Sequence, residues 1–106
     1  KDFTAALIAT ELAADLLVIL TDVDAVRLNY GKKSETAIPA MTIREAGRWL
    51  RYGQFPPGSM GPKIEAAIEF VSATRNPVVI TSLPRSIQAL SKKAGTWITA
   101  PPVKKA

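Results

Sequence analysis

The chain has neither cysteine nor histidine among its 106 residues. It therefore has no disulfide, no thiolate nucleophile, no imidazole acid or base, and none of the ordinary zinc ligand sets. Any chemistry must rest on lysine, arginine, aspartate, glutamate or the backbone. The absence of cysteine also leads us to expect a cytoplasmic protein.

Long apolar runs are missing as well, since no stretch reaches the roughly 18 apolar residues of a membrane span. We expect no membrane partner and no signal peptide. Without an internal repeat or a long linker, the length predicts one domain over residues 1–100 with a loose tail over 101–106. Because the first residue is Lys1 and not Met, we expect a processed product or a fragment.

The composition is that of a folded protein, with 47% hydrophobic and 22% charged residues. A net charge of +5 favours an anionic partner. Arg44, Arg48 and Arg51 share one helix face and either contact phosphates or form a solvated surface. The cations are otherwise scattered and no nucleic-acid-binding motif accompanies them, so nucleic acid is an unlikely partner.

The hydrophobic pattern alternates between strands and helices. Leu16–Leu20 is a continuous apolar run, typical of a parallel strand covered on both faces. A helix after Ser82 is expected to bury Leu83, Ile87 and Leu90. Further helices are predicted near 2–12, 42–52 and 62–73, with a hairpin near Asn29 and strands at 78–81 and 96–99. The helix near 42–52 is expected to open with a capping box formed by Thr42 and Glu45. This order predicts an α/β fold of three α/β/α layers with a mainly parallel sheet.

The turn Gly58-Ser59-Met60-Gly61-Pro62-Lys63 precedes a helix that we expect to begin near Pro62. Helix starts present unpaired N–H groups and a partial positive charge, which attract anions, and Gly58 and Gly61 allow close approach. Lys63 opposes the helix dipole by about 0.3–1 kcal/mol, which a bound anion would offset. The alternative is an ordinary loop followed by a solvated lysine.

Two carboxylates, Asp22 and Asp24, follow the first predicted strand, at the end where open α/β sheets bind ligands. They could hold Mg²⁺, bind a sugar hydroxyl or shape an Asx-turn. Tyr30 could stack on a base or be half-buried. Asp2 is suited to cap the first helix, while Lys1 fits a solvated terminus.

Several of these pieces occur together in one family. The chain resembles the carboxyl-terminal part of carbamate kinases, within the amino acid kinase family. The matching segments are Lys1-Asp2, Thr21-Asp22-Val23-Asp24-Ala25-Val26, Asn29-Tyr30-Gly31, Gly58-Ser59-Met60-Gly61-Pro62-Lys63 and Gly95-Thr96. They follow the family's order and spacing to about Ala100.

The resemblance implies an enzyme of arginine metabolism that transfers a phosphoryl group between ATP and carbamate, normally making ATP from ADP and carbamoyl phosphate. It implies ATP or ADP and Mg²⁺ as cofactors, with no protein ligand of the metal identified. Lys63 would hold the transferring phosphoryl group, Lys1 would be a second cation, and Asp2 would organise the catalytic lysines. The nucleotide would contact Thr21, Asp22, Val23, Asp24, Tyr30, Ser59, Met60, Gly61 and Lys63.

The chain departs from the family in lacking its amino-terminal two thirds, including the glycine-rich segment that would hold carbamate. We therefore expect these 106 residues to be inactive alone. A truncated sheet exposes an edge and an apolar face, which predicts self-association into a homo-oligomer. The alternative function is a non-catalytic, kinase-like binding or interaction module.

Overall fold

The computed structural model describes residues 8, 10, 12 and 14–102. The predicted first helix, with Lys1 and Asp2, lies largely outside this part, as do residues 103–106. The strands are β1 (Leu17–Thr21), β2 (Arg27–Leu28), β3 (Thr36–Ala37), β4 (Ala40–Thr42), β5 (Val78–Ser82) and β6 (Thr96–Thr99). The helices are α1 (Ile43–Arg51), α2 (Met60–Thr74) and α3 (Ser86–Leu90), with a 3₁₀ turn at Leu83–Arg85.

Four strands form one sheet in the order β1-β5-β6-β4, and β2 and β3 form a separate antiparallel hairpin. The β1–β5 and β4–β6 pairs are parallel and the β5–β6 pair is antiparallel. The predicted α/β fold with a mainly parallel sheet is confirmed. In the β1–β5 register Thr21 lies opposite Ser82, so both strands end at the same edge of the sheet.

The hydrophobic core lies between one face of the sheet and helices α1 and α2. Alternate strand residues enter it, such as Ile19 from β1, Ile80 from β5 and Ile98 from β6. Helix α2 contributes Ile64, Ala66, Ala67, Phe70 and Val71, all of them fully buried. Phe55 belongs to the same core, which holds the start of the segment before α2 against the sheet.

Strand β1 differs from the prediction that both of its faces are covered. Val18 is 39% exposed and Leu20 is 46% exposed, whereas all five residues of β5 are buried. The difference arises because helix α3 packs against β5, whereas the outer face of β1 is left open in the described part of the chain. The prediction was correct for the strand direction and wrong for its outer face.

Helix boundaries follow the expected capping chemistry. The Thr42 hydroxyl accepts from the Glu45 N–H while the Glu45 carboxylate accepts from the Thr42 N–H, so the predicted capping box is confirmed. Helix α2 begins at Met60, two residues before the predicted start at Pro62. Proline is tolerated there because the first N–H groups of a helix have no partner within it.

The segment after β5 contradicts the prediction of an inward apolar face. Leu83, Ile87 and Leu90 are 69%, 78% and 52% exposed, and Ala89 is buried instead. The 3₁₀ turn advances by three residues per turn and not 3.6, so it shifts which side chains of α3 face the sheet. No helix in the described ranges has the length and apolarity that a membrane crossing requires.

Candidate functional site

A cleft of about 160 Å³ opens beside the carboxyl end of β1. Ten residues line it: Thr21, Asp22, Val23, Ala25, Arg27, Tyr30, Phe55, Pro56, Ser59 and Met60. Six of these were singled out from the sequence, namely Thr21, Asp22, Val23, Tyr30, Ser59 and Met60. Segments that are some 30 residues apart in the chain therefore meet around one space.

One wall of the cleft is the turn that precedes α2. The Pro56 carbonyl accepts hydrogen bonds from the Ser59 N–H at 3.2 Å and from the Gly61 N–H at 2.8 Å. A Cβ at position 61 would lie 3.1 Å from that same oxygen, closer than nine in ten real contacts of this kind. The close approach that Gly61 allows is therefore to the chain's own backbone at Pro56.

The start of α2 is capped differently from that of α1. Ser59 makes no capping hydrogen bond through its side chain, and the first turn of α2 holds no acidic residue. Lys63 is half-buried in this turn. Neither Gly61 nor Lys63 belongs to the described lining of the cleft, so their predicted contacts with a nucleotide remain predictions.

The two aspartates after β1 make different contacts. Asp22 is exposed, lines the cleft and accepts a hydrogen bond from the Thr21 hydroxyl at 3.2 Å. Asp24 accepts from the Ser82 hydroxyl at 2.5 Å, and its backbone carbonyl accepts from the Thr81 hydroxyl at 3.2 Å. Asp24 thus ties the end of β1 to β5, and its assignment to the nucleotide remains a prediction.

The opposite wall comes from the hairpin. The Asn29 N–H donates to Gln54 Oε1 at 2.8 Å, and Gln54 Nε2 donates to Asn29 Oδ1 at 3.2 Å. Asn29 has a left-handed backbone with φ of 55°, and the next residue, Tyr30, is 63% exposed. The alternative of a half-buried tyrosine is therefore wrong, because the Tyr30 side chain lies in the open at the cleft.

Four lining residues were not identified from the sequence: Ala25, Arg27, Phe55 and Pro56. Phe55 and Pro56 directly precede the glycine turn, and that adjacency was the available signal. Arg27 forms a salt bridge with Glu35, with 3.5 Å between the guanidinium and the carboxylate. The same carboxylate accepts a hydrogen bond from the Gly31 N–H at 2.9 Å. Within the described residues no group of three or more acidic side chains is placed to hold a metal ion.

The chain is similar in sequence to carbamate kinases. The carbamate kinase of Thermoplasma acidophilum is 43% identical over 98 residues, which are 92% of this chain and 32% of that protein. That of Staphylococcus haemolyticus is 46% identical over 101 residues, with the same coverage of 92% and 32%. The chain therefore spans about a third of the length of these relatives.

Solved structures agree with the sequence comparisons. Carbamate kinase from Giardia lamblia bound to AMP-PNP superposes with a TM-score of 0.91 at 42% identity, over 95% of this chain and 32% of that one. A protein from Aeropyrum pernix K1 gives a TM-score of 0.87 at 51% identity, with the same coverage. Residues 1–82 match the sequence profile of the amino acid kinase family. The chain belongs to the amino acid kinase family.

Proposed function

We propose that the chain is the nucleotide-binding part of a cytoplasmic carbamate kinase of arginine metabolism, corresponding to its carboxyl-terminal portion. The complete enzyme would transfer a phosphoryl group between ATP and carbamate. The observation that carries the proposal is the convergence of Thr21–Val23, Tyr30 and Ser59–Met60 on one cleft. Its relatives are carbamate kinases, and the Giardia lamblia enzyme binds AMP-PNP, an ATP analogue.

The chemistry of the cleft suits the base and ribose of a nucleotide. Val23, Phe55 and Met60 offer apolar surface, and the exposed Tyr30 ring can stack on a base. The Thr21 hydroxyl and the Asp22 carboxylate can hydrogen-bond to ribose hydroxyls. A volume of about 160 Å³ is below the roughly 300–1,000 Å³ of typical ligand pockets, so only part of a nucleotide fits inside.

The phosphates would then be held outside the cleft, at the start of α2. This helix end has no side-chain cap and no acidic residue to offset its partial positive charge. A phosphate group supplies that negative charge, and the Lys63 ammonium adds a second favourable interaction. In the proposal Lys63 holds the transferring phosphoryl group, with Lys1 as a second cation and Asp2 as the residue that organises both lysines.

Mg²⁺ would neutralise the phosphates during transfer. Because the described residues offer no group of three acidic ligands, we expect phosphate oxygens and water to hold most of its coordination sites. Phosphoryl transfer depends on positioning and charge neutralisation more than on acid or base catalysis. A chain without histidine is compatible with that chemistry.

The proposal predicts nucleotide binding without turnover, since a chain spanning a third of its relatives lacks most of their residues. A coupled assay for carbamoyl phosphate should give the same rate for the purified chain as for a Lys63→Ala control. Turnover well above that control would show that these residues suffice for catalysis.

Calorimetric titration with Mg²⁺ and ATP tests the assignment of Lys63, because ATP carries the phosphoryl group that is transferred and ADP does not. We expect Lys63→Ala to weaken ATP binding by at least about tenfold, because a hydrogen bond to a charged group contributes about 1.5–3 kcal/mol. Adenosine, which has no phosphate, should bind both proteins equally. Arg44→Ala removes the same charge from the exposed face of α1 and serves as the control. Equal ATP affinity in wild type and Lys63→Ala would contradict the assignment.

Self-association completes the proposal. The outer face of β1, with Val18 and Leu20 exposed, offers an apolar surface to a second copy of the chain. Sedimentation velocity should show concentration-dependent association that a Val18→Thr/Leu20→Thr variant reduces. Tyr52→Thr, at an exposed position after α1, should leave it unchanged. Association that persists in the β1 variant would assign the contact to another surface.

A further inference from the structure

A second cleft, of about 340 Å³, is lined by the segment that links β1 to the hairpin and by the turn before β6. Four cationic side chains line it: Arg27, Arg85, Lys92 and Lys93. Asp24 is the one acidic side chain in its described lining. The cleft is therefore a concave surface with an excess of positive charge. It shares Ala25 and Arg27 with the nucleotide cleft, whereas Arg85, Lys92 and Lys93 are not in the lining of that first cleft.

Contacts within the chain position the Lys92 side chain and the turn that carries it. Lys92 Nζ lies 5.1 Å from the centre of the Trp97 ring, and Trp97 Nε1 donates to the Ala89 carbonyl at 2.9 Å. The turn that carries both lysines is closed by backbone hydrogen bonds from the Lys92 N–H to Ala89 and from the Lys93 N–H to Gln88. Because the Lys92 side chain already lies on the Trp97 ring, it loses less conformational entropy on binding an anion than a lysine without such a contact would.

The carboxylate in the cleft is partly satisfied by the sheet. Asp24 Oδ1 accepts from the hydroxyl of Ser82, a residue that is only 5% exposed. This hydrogen bond holds Oδ1 against β5, and within the described residues Asp24 forms no salt bridge with any of the four cations. Among the salt bridges of the described residues, Arg27 pairs with Glu35, outside this cleft, and the other three cations have no such pair.

We propose that this cleft binds a compact oxyanion that carries neighbouring negative charges, such as a diphosphate group. A concave surface lined by one sign of charge focuses the electrostatic potential and concentrates counter-ions. The volume of the cleft is at the lower end of the roughly 300–1,000 Å³ found for small-molecule sites, which favours a small ligand. The four cations line a single concave space, whereas a nucleic-acid strand would be matched by cations along a track.

Calorimetric titration with inorganic pyrophosphate at low salt tests the proposal. Lys92→Ala/Lys93→Ala should weaken binding by at least about tenfold, because hydrogen bonds to charged groups are lost. Arg44→Ala/Arg48→Ala removes the same number of charges from the exposed face of α1 and should stay within about twofold of wild type. Equal losses in the two double variants would reduce the effect to net charge and overturn the proposal.

A further variant and a competition experiment separate the anion site from misfolding and from the nucleotide site. Arg85→Gln lies in the 3₁₀ turn and not in the lysine turn, so it should weaken pyrophosphate binding even if the double variant unfolds. Saturating Mg²⁺ and ADP should leave the pyrophosphate site available, and full competition would place the anion in the nucleotide site instead. Binding of a single-stranded oligonucleotide without binding of pyrophosphate would also overturn the proposal. The pyrophosphate titrations of these variants do not depend on nucleotide binding. They can therefore support the anion site even if the proposed nucleotide-binding function is wrong.

Discussion

Gln54 and Asn29, which are 25 residues apart, exchange two hydrogen bonds that join the hairpin to the loop after α1. This pair connects the two walls of the proposed nucleotide cleft, because Tyr30 follows Asn29 and Phe55 follows Gln54. The geometry of the cleft therefore depends on an amide pair that does not itself line it.

Gln54→Ala should weaken ADP binding by several-fold and lower the free energy of unfolding by about 1 kcal/mol, since both hydrogen bonds are lost. Asn29→Gly should have a smaller effect, because it removes only the side-chain bond and glycine adopts the positive φ readily. Calorimetry and urea denaturation measure the two quantities. Gln88→Ala, on the exposed surface of α3, is the control. Unchanged ADP affinity in Gln54→Ala would show that the pair does not position the cleft.

Gly61→Ala should distort the turn before α2. The added methyl group would lie 3.1 Å from the Pro56 oxygen, and overpacking of this kind costs about 1–3 kcal/mol. The higher helix propensity of alanine offsets about 1 kcal/mol of that. We expect a small net loss of stability and a clear loss of ADP affinity. Gly58→Ala, where nothing lies within 4 Å of the new Cβ, should retain wild-type stability in urea denaturation.

Gly95→Ala should be the most destabilising glycine substitution. Gly95 has φ of 76°, and a Cβ there would lie 3.0 Å from the Ile80 oxygen and 3.1 Å from the Ala89 Cβ. Gly53 has a similar φ of 73° with nothing within 4 Å, so Gly53→Ala measures the backbone strain alone, about 1 kcal/mol. Gly95→Ala should therefore lose about 1 kcal/mol or more of unfolding free energy beyond the loss in Gly53→Ala. This is the lower end of the cost of inserting extra atoms into a well-packed core. Equal losses would mean that the tight packing around Gly95 relaxes freely.

Thr96→Val should detach the hairpin from the sheet. The buried Thr96 hydroxyl accepts from the Val26 N–H at 2.8 Å and donates to the Ile38 carbonyl at 2.5 Å. Valine keeps the shape but leaves both backbone groups unpaired, at a cost of about 1–3 kcal/mol for each buried group. Hydrogen exchange at the Val26 amide should accelerate. Thr99→Val, at a half-buried position on the same strand, should leave that exchange rate unchanged.

Local signals predicted the parts of the fold that depend on local chemistry. Thr42 and Glu45 lie at capping-box spacing, and the apolar run of β5 predicted a strand, so both were identified correctly. Strand β4 was missed because three residues are too few to show a period of two. The exposure of Ile87 could not be predicted, because it depends on the 3₁₀ turn that precedes α3.

The candidate site divides in the same way. Asp22 was identified because it follows an apolar strand, and Met60 because it lies in a glycine turn. Gln54 and Arg27 were missed, since their roles arise from contacts with the hairpin that no sequence spacing reveals. The different surroundings of Asp22 and Asp24 depend on the β1–β5 pairing, which brings Ser82 beside Asp24.

The exposed outer face of β1 also affects how these variants should be measured. Val18 and Leu20 offer apolar surface to any hydrophobic probe while the chain is still folded. A dye that fluoresces on apolar surfaces should therefore give a high signal before heating. The melting transition recorded with such a dye would combine release of the dye from the folded chain with unfolding. Circular dichroism reports backbone structure and not surface polarity, so it is the suitable readout for ranking the glycine and threonine variants.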